Sequence, residues 1–442
     1  PGALPKPNLP STQRKPIWHA DKRIPYSLTT HIIPTAYLRE DSDVVLPDTP
    51  GNVSKEERKE IVQKAEERLR EIRRGYEDNG RKSQHKVLWL CLNRYARTFK
   101  STGGFTLFFA HANGFHKEVR MIISAAFSYN RRDWFAGWEP TLLSLLASQE
   151  SQSLVQEIWV WDVFNQGDSA LLNKGNLNSL IHTRTSTRDL LSFLIYFLPS
   201  SFASSSLPVH LPQVPKAEAQ RRIRNGFFGH GSLRLPICCF GHSFGGAIST
   251  LAAISHPSLF TSLCLIDPVI SHPTPQFYYS PIGLSLGAIS RRASWISREE
   301  ARKGFMESPF FGSWDPRVLE LYIEAALYQD HDAVRLKTPP IQEAITFNDA
   351  ETGAAEAWVR LWKKELDPRI KLRWVMPGRT EWVLDPRPNF TQERVWLRPE
   401  NCSNIRMEGS GHLVAQEKPE MLGKEIRNFL EDVSRSEASA KL

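Results

Sequence analysis

The pentapeptide Gly241-His242-Ser243-Phe244-Gly245 follows an apolar run, Leu235-Pro236-Ile237-Cys238-Cys239-Phe240, and precedes a helix-forming stretch over 246–253. A strand that stops and reverses at once into a helix drives its turn residue toward positive φ, and the tight approach that results requires small neighbours. Glycine supplies them on both sides of the serine. The segment therefore reads as a nucleophile elbow, with the Ser243 hydroxyl projecting alone at a helix N-terminus, rather than as a glycine-rich turn that merely closes a strand. A strand-turn-helix unit of this kind belongs in an α/β sheet.

Apolar runs bounded by Gly, Pro and polar residues recur along the chain and alternate with helical periodicity, which predicts parallel β-α-β units. Strands are expected over 87–92, 105–110, 157–162, 235–240, 262–267, 372–376 and 402–407. Each residue suspected of chemistry falls just past one of them, at the carboxyl ends where open parallel sheets bind ligands. Two stretches break the alternation. Residues 199–234 are Ser/Pro-rich and then basic, and read as a surface insertion; residues 268–367 carry helical patterns, clearest at 298–305 and 315–328, and read as a lid over the sheet. The lid's aromatics, among them Phe277, Tyr278, Tyr279, Trp295, Phe305, Phe310, Phe311 and Trp314, pack its own core or line a pocket. The organisation expected is an N-terminal arm and charged helix over 1–84, a core over 85–267 and 368–433, the lid over 268–367 and a flexible tail over 434–442.

A serine hydroxyl needs a base within hydrogen-bond reach, itself oriented by an acid. His412 is the expected base, because Gly409-Ser410-Gly411-His412 forms a small-residue loop between the last strand and a C-terminal helix over 419–433. Three carboxylates compete for the third place: Asp267, at the end of the strand after the elbow helix; Glu381, in Pro377-Gly378-Arg379-Thr380-Glu381; and Asp385, further into that loop. Oxyanion donors are expected at the backbone N–H of Phe244 and of Asn113, the latter in His111-Ala112-Asn113-Gly114-Phe115. His111 is read as shaping that loop rather than as a second base, and His116, Lys117 and Glu118 as a helix start or a substrate contact. No His/Cys/Asp/Glu cluster has metal spacing and no glycine-rich phosphate loop follows a strand, so neither metal nor cofactor is expected.

Most of the formal net charge of +8 sits in the first hundred residues, where a helix dense in charges of both signs is expected over 54–74. Ser54 and Glu57 suggest a capping box, Ile61, Ala65, Leu69 and Ile72 an apolar stripe, and Gly75 the stop. Such a charge run is a solvated face, and no interleaved aromatics suggest nucleic-acid stacking. The five cysteines read as buried thiols, with Cys238 and Cys239 pointing to opposite faces of their strand. No run is long and apolar enough to span a bilayer; the longest, 190–198, reads as a buried helix. No signal peptide opens the chain, whose first sixteen residues read as a proline-rich arm. Ala440-Lys441-Leu442 is a variant of the Ser-Lys-Leu tripeptide read by the peroxisomal import receptor, so a peroxisomal location is expected, and a cytoplasmic one otherwise.

Over residues 87–433 these motifs together resemble the α/β-hydrolase superfamily, in its lidded branch of serine esterases, lipases and thioesterases. Ile33-Pro34-Thr35-Ala36-Tyr37-Leu38-Arg39-Glu40, the 111–118 segment, Gly167-Asp168-Ser169-Ala170-Leu171-Leu172-Asn173 and the C-terminal tripeptide resemble fungal peroxisomal hydrolases of the toxin-biosynthesis and peroxisomal-lipase kind. The resemblance implies an α/β-hydrolase fold: a mostly parallel central sheet flanked by helices, with a helical lid after strand 6. It implies cofactor-free hydrolysis of an acyl ester or thioester in peroxisomal lipid or secondary-metabolite metabolism. It also favours Asp267 as the acid, since the loop after the seventh strand often lacks one in that group, although Glu381 is present here. Ala112, where the family has glycine, and the 199–234 insertion depart from the pattern. An acyltransferase and a non-catalytic ligand-binding protein on the same fold are the alternatives.

Overall fold

The computed structural model describes residues 6–10, 13–37, 39–40, 44–51, 53–79, 83–84, 87–99, 103–117, 137–202, 207–228, 236–273, 282–379 and 389–439. Its centre is a sheet of eight strands: β1 (Tyr26–Pro34), β2 (Trp89–Arg97), β3 (Phe105–Ala110), β4 (Val155–Trp161), β5 (Ile237–His242), β6 (Phe260–Ile266), β7 (Lys371–Pro377) and β8 (Cys402–Met407). Their order is β1-β2-β4-β3-β5-β6-β7-β8. Within this sheet β2 alone runs against the rest.

The helices that surround the sheet and frame its carboxyl ends include α1 (Lys55–Asn79), α2 (Thr183–Ser192), α3 (Phe244–Ser255), α4 (Ile282–Ser290), α5 (Arg298–Met306), α6 (Pro316–Ala325), α7 (Pro340–Trp362), α8 (Phe390–Val395) and α9 (Pro419–Ser439). The strands at the centre are buried on both faces, as their uninterrupted apolar runs require. Phe108 and Cys239 join the core on one face, while Leu107, Phe109 and Cys238 join the core on the other. Burial pushes the thiols of both cysteines up to about 12. Helix α3 is buried from Phe244 to Ile254, because the sheet, α2 and α7 surround it; its sequence is accordingly apolar on every side.

Several expectations are corrected. Residues 26–34, read as part of an arm, form β1 and pair with β2 along their whole length. Helix α1 opens as expected, with Ser54 Oγ accepting from the Glu57 N–H at 3.2 Å, but it passes through Gly75 and ends at Asn79. Its buried stripe uses Val62 in place of Ile61. The described part of the 199–234 stretch lies largely at the surface, as read, but it is anchored: in its helix over Lys216–Asn225, Arg222 is fully buried and donates to the carbonyls of Leu194 (2.9 Å) and Leu198 (2.8 Å). Those carbonyls belong to the end of a helical stretch, where no intrahelical donor reaches them.

The segment between β6 and β7 is not wholly helical. Leu327–Asp330, Ala333–Leu336 and Ser294–Trp295 form a small antiparallel sheet, so the helix expected over 315–328 ends at Ala325 and its last residues turn into a strand. That sheet packs with α5 and α6 in a third core of its own, whereas α4 and α7 contribute to the main one. Helix α9 continues past Val433 to Ser439, into the stretch read as a flexible tail. Glu118, Phe277, Tyr278, Tyr279, Glu381, Asp385 and Ala440-Lys441-Leu442 lie outside the described residues.

Candidate active site

The register of the sheet decides which loops meet. His242 at the end of β5 pairs with Ile266 at the end of β6, and Ile266 pairs with Val375 of β7, so the residues that leave β5 and β6 emerge side by side. Ser243 leaves β5 at φ 54 and ψ −117, a region costly for any residue with a side chain. The turn holds because its backbone is fully engaged: the Ser243 N–H donates to Ile266 O at 3.0 Å, and its carbonyl accepts from Gly246 and Val269, each at 2.9 Å. Gly245 is obligatory, since a Cβ there would lie 2.4 Å from the carbonyl oxygen of Ala110 at the end of β3.

Three residues from three different loops then join in line. His412 Nδ1–H donates to Asp267 Oδ2 at 2.7 Å, which leaves His412 Nε2 to accept from the Ser243 hydroxyl at 2.9 Å. Asp267 is 2% exposed, and its other oxygen accepts from Arg394 Nη2 at 2.7 Å. Burial pushes the Asp267 carboxyl up, but the Arg394 guanidinium and the bond from His412 outweigh it and hold the acid at about 2. Arg394, on α8, also donates to Pro268 O at 2.7 Å, so one side chain fixes both the carboxylate and the backbone that carries it. The His412 loop is pinned from two sides. Glu417 accepts from the Gly411 N–H at 2.8 Å, and His242 Nε2–H donates to the His412 carbonyl at 2.9 Å. Burial drives the His242 ring down to about 3, so it stays neutral.

The loop after β3 faces this group. Its side chains are committed to holding its shape: His111 donates from Nδ1 to Ala112 O at 2.8 Å and accepts the Val163 N–H on Nε2 at 3.2 Å. Both nitrogens are occupied and burial lowers the ring to about 4, which suits a scaffold and not a base. Asn113 Oδ1 accepts from Gln166 at 2.5 Å and Nδ2 donates to Glu343 O at 3.0 Å, while the Gly114 N–H donates to Gln166 Oε1 at 3.0 Å. Among the described residues the backbone N–H groups of Asn113 and Phe244 have no acceptor. Phe244 opens α3, where the first N–H groups have none within the helix. Lys117 is fully buried and donates to Asp168 at 2.8 Å.

A sequence model of the alpha/beta hydrolase family matches residues 107–423, most of the chain and all of the loops just described. The chain belongs to the alpha/beta hydrolase family. Over 108 residues it is 32% identical to the abhydrolase domain-containing protein ACTT2 of Alternaria alternata, a match to 24% of this chain and 40% of that protein. Over 192 residues it is 29% identical to the type I acyl-CoA thioesterase mpaH of Penicillium roqueforti, a match to 41% of this chain and 36% of that protein. The match thus spans about two fifths of these relatives' length. Among solved structures, the peroxisomal alpha-beta-hydrolase Lpx1 of Saccharomyces cerevisiae shares the fold with a TM-score of 0.63 at 17% identity, over 93% of this chain and 90% of that one. Among the described residues this family member has no helix long and apolar enough to cross a membrane and no trio of His, Cys, Asp or Glu placed around a metal.

Of the residues expected from sequence, Ser243, His412 and Asp267 converge, Phe244 follows Ser243 at the start of α3 and Asn113 lies on the loop after β3, whereas Glu381 lies outside the described residues. Four others went unread. His242 is hidden as the variable residue of the elbow motif, and Gln166 and Glu343 approach the Asn113 loop from distant segments. Arg394 sits on a short helix with no motif around it.

Proposed function

We propose that this alpha/beta hydrolase is a serine hydrolase that cleaves carboxylic esters or thioesters through an acyl-enzyme. The observation that carries the reading is the unbroken line from ionised Asp267 through His412 to the Ser243 hydroxyl. His412 Nε2 takes the Ser243 proton as Oγ adds to the acyl carbon, and Asp267 stabilises the imidazolium that forms. The N–H groups of Phe244 and Asn113 receive the negative oxygen. His412 then gives its proton to the departing alcohol or thiol, and a water deprotonated by His412 attacks the acyl-enzyme to release the acid and restore Ser243. Helices α5 and α6 with the small three-stranded sheet serve as a lid, and their aromatic core faces the acyl group. Similarity to acyl-CoA thioesterases supports thioesters, of lipid or secondary metabolism, as substrates. Ala440-Lys441-Leu442 and the likeness to a peroxisomal hydrolase support action in the peroxisome.

The test is covalent labelling by a fluorophosphonate together with turnover of short and long acyl esters and acyl-CoAs. Labelling and turnover are expected in the unaltered chain and absent in Ser243→Ala. An unaltered chain that neither labels nor hydrolyses any of them overturns the proposal. For location, the chain carrying an N-terminal fluorescent tag should collect with a peroxisomal marker and disperse once residues 440–442 are removed; an unchanged distribution would exclude the tripeptide as its address.

A further inference from the structure

Between the Asn113 loop and the segment that follows β6 lies a small cavity walled by Phe115, His116, Trp314, Val318, Tyr322 and Gln416, with a volume of about 10 Å³. That is the room of one water-sized group. Its aromatic walls are tightly stacked: His116 lies near-parallel to Tyr322 with ring centroids 5.5 Å apart, and Trp314 stands 5.3 Å from Tyr322 and 5.5 Å from Phe115. Three of the walling residues nonetheless bring polar atoms that have no partner. Both ring nitrogens of His116, the indole Nε1 of Trp314 and Oε1 of Gln416 are buried without a hydrogen bond among the described residues. Buried polar atoms almost always find partners, so four left over around one cavity call for a bound atom that supplies them.

The set has a definite chemistry. Trp314 Nε1 only donates and Gln416 Oε1 only accepts. Burial holds the His116 ring neutral, far below its ordinary range at about 3, so one of its nitrogens donates and the other accepts. A hydroxyl, which accepts twice and donates once, meets both donors and one of the two acceptors. A methyl satisfies none of it, and a carboxylate, which only accepts, leaves both acceptors unmet. The cavity adjoins two loops of the site. Phe115 and His116 continue directly from Asn113, Gln416 lies one helical turn beyond His412, and Leu413 packs on the same aromatic cluster.

We propose that this cavity is a polar acyl subsite that selects esters or thioesters whose acyl chain carries a hydroxyl group. The inference rests on the reading of Ser243 as the acyl-accepting nucleophile. It is tested on the full chain carrying Ser243→Ala, by calorimetric binding of straight-chain acyl-CoAs, each with and without a terminal hydroxyl. At the chain length that reaches the cavity the hydroxylated probe should bind at least about ten-fold tighter. In His116→Phe or Gln416→Leu added to that background the preference should fall to within about two-fold, with the plain probe bound no more weakly than before. Gln416→Leu gives a second, independent arm should His116→Phe disturb folding. Equal binding of the two probes at every length, or no binding at all, overturns the subsite and leaves the cavity to a water only. Fluorophosphonate labelling of the unaltered chain keeps the two readings apart: labelling without hydroxyl preference sinks the subsite alone, and preference without labelling sinks the hydrolase alone.

Discussion

At Asp267 two effects of opposite sign meet, and their balance fixes what the residue can do. Burial alone would protonate the carboxyl, but Arg394 on one oxygen and His412 on the other hold it at about 2, below the ~3.9 of an unfolded aspartate. A group depressed in this way stabilises the fold above pH ~4 and loses that contribution as pH falls through its folded value, about 2 kcal/mol in all. The difference in unfolding free energy between the unaltered chain and Asp267→Asn should therefore shrink by about 2 kcal/mol from pH ~5 to ~2, as read by urea titration. A gap that does not move with pH would show that Asp267 is not ionised in the fold. Arg394 acts through Asp267 as a positioning residue. Arg394→Met, which leaves a buried carboxylate unpaired, should cost about 3 kcal/mol of stability and lower kcat by ~10–100-fold with KM within about two-fold; Arg394→Lys should recover part of both. A large rise in KM with kcat unchanged would instead place Arg394 in substrate binding. Ser243 and His412 were legible because small residues flank each of them in the chain. Arg394 was not, because its partner lies far away in sequence and nothing local marks a guanidinium that will be buried.

Loops at the carboxyl ends of β3 and β4 form the next level. The Asn113 loop has little regular structure, yet the loop after β4 ties it down through Gln166, which bonds to the Asn113 side chain and the Gly114 N–H, and through Asp162, which accepts the Lys117 N–H at 2.5 Å. If the Asn113 N–H is an oxyanion donor, its aim depends on those bonds and not on substrate affinity. Gln166→Leu should then lower kcat for esters by about ten-fold while KM stays within about two-fold. Unchanged kcat would mean that the loop holds its shape without Gln166. At this scale the sequence was legible where strands are buried on both faces, since their apolar runs stand out. It failed at β1, whose Ser27, Thr29, Thr30 and His31 dilute the pattern although most of the strand is buried. Gly75 misled for a different reason: a glycine ends a helix when it adopts the left-handed conformation at the stop, and here the helix simply continues through it.

The whole molecule divides differently from the sequence. A lid was expected as one block over 268–367, but α4 and α7 sit in the main core with the sheet, and only α5, α6 and the small three-stranded sheet share a separate core built on Trp295, Phe305, Phe311, Trp314 and Tyr322. Periodicity could not show this division, because the pattern of a helix says which of its faces is buried and not what that face packs against. The energetic consequence follows from the contacts. A cavity opened in the separate core weakens contacts that the sheet does not share, so that part can open below the free energy of global unfolding. Phe305, 4% exposed, meets the rings of Trp295, Phe311 and Tyr322 and none of the sheet's aromatics. Phe305→Ala should cost ~3–5 kcal/mol locally. Hydrogen exchange should accelerate across 294–336 while β3, β5 and β6 keep their protection, whereas Leu251→Ala on α3 should lower protection across the sheet as well. Because Trp314, Val318 and Tyr322 of the same core wall the small cavity beside His116, the Phe305 variant should also lose selectivity among acyl groups before it loses fluorophosphonate labelling at Ser243. Equal loss of protection in the sheet and in 294–336 would show a single cooperative unit, and the independent opening of the lid would then have to be abandoned.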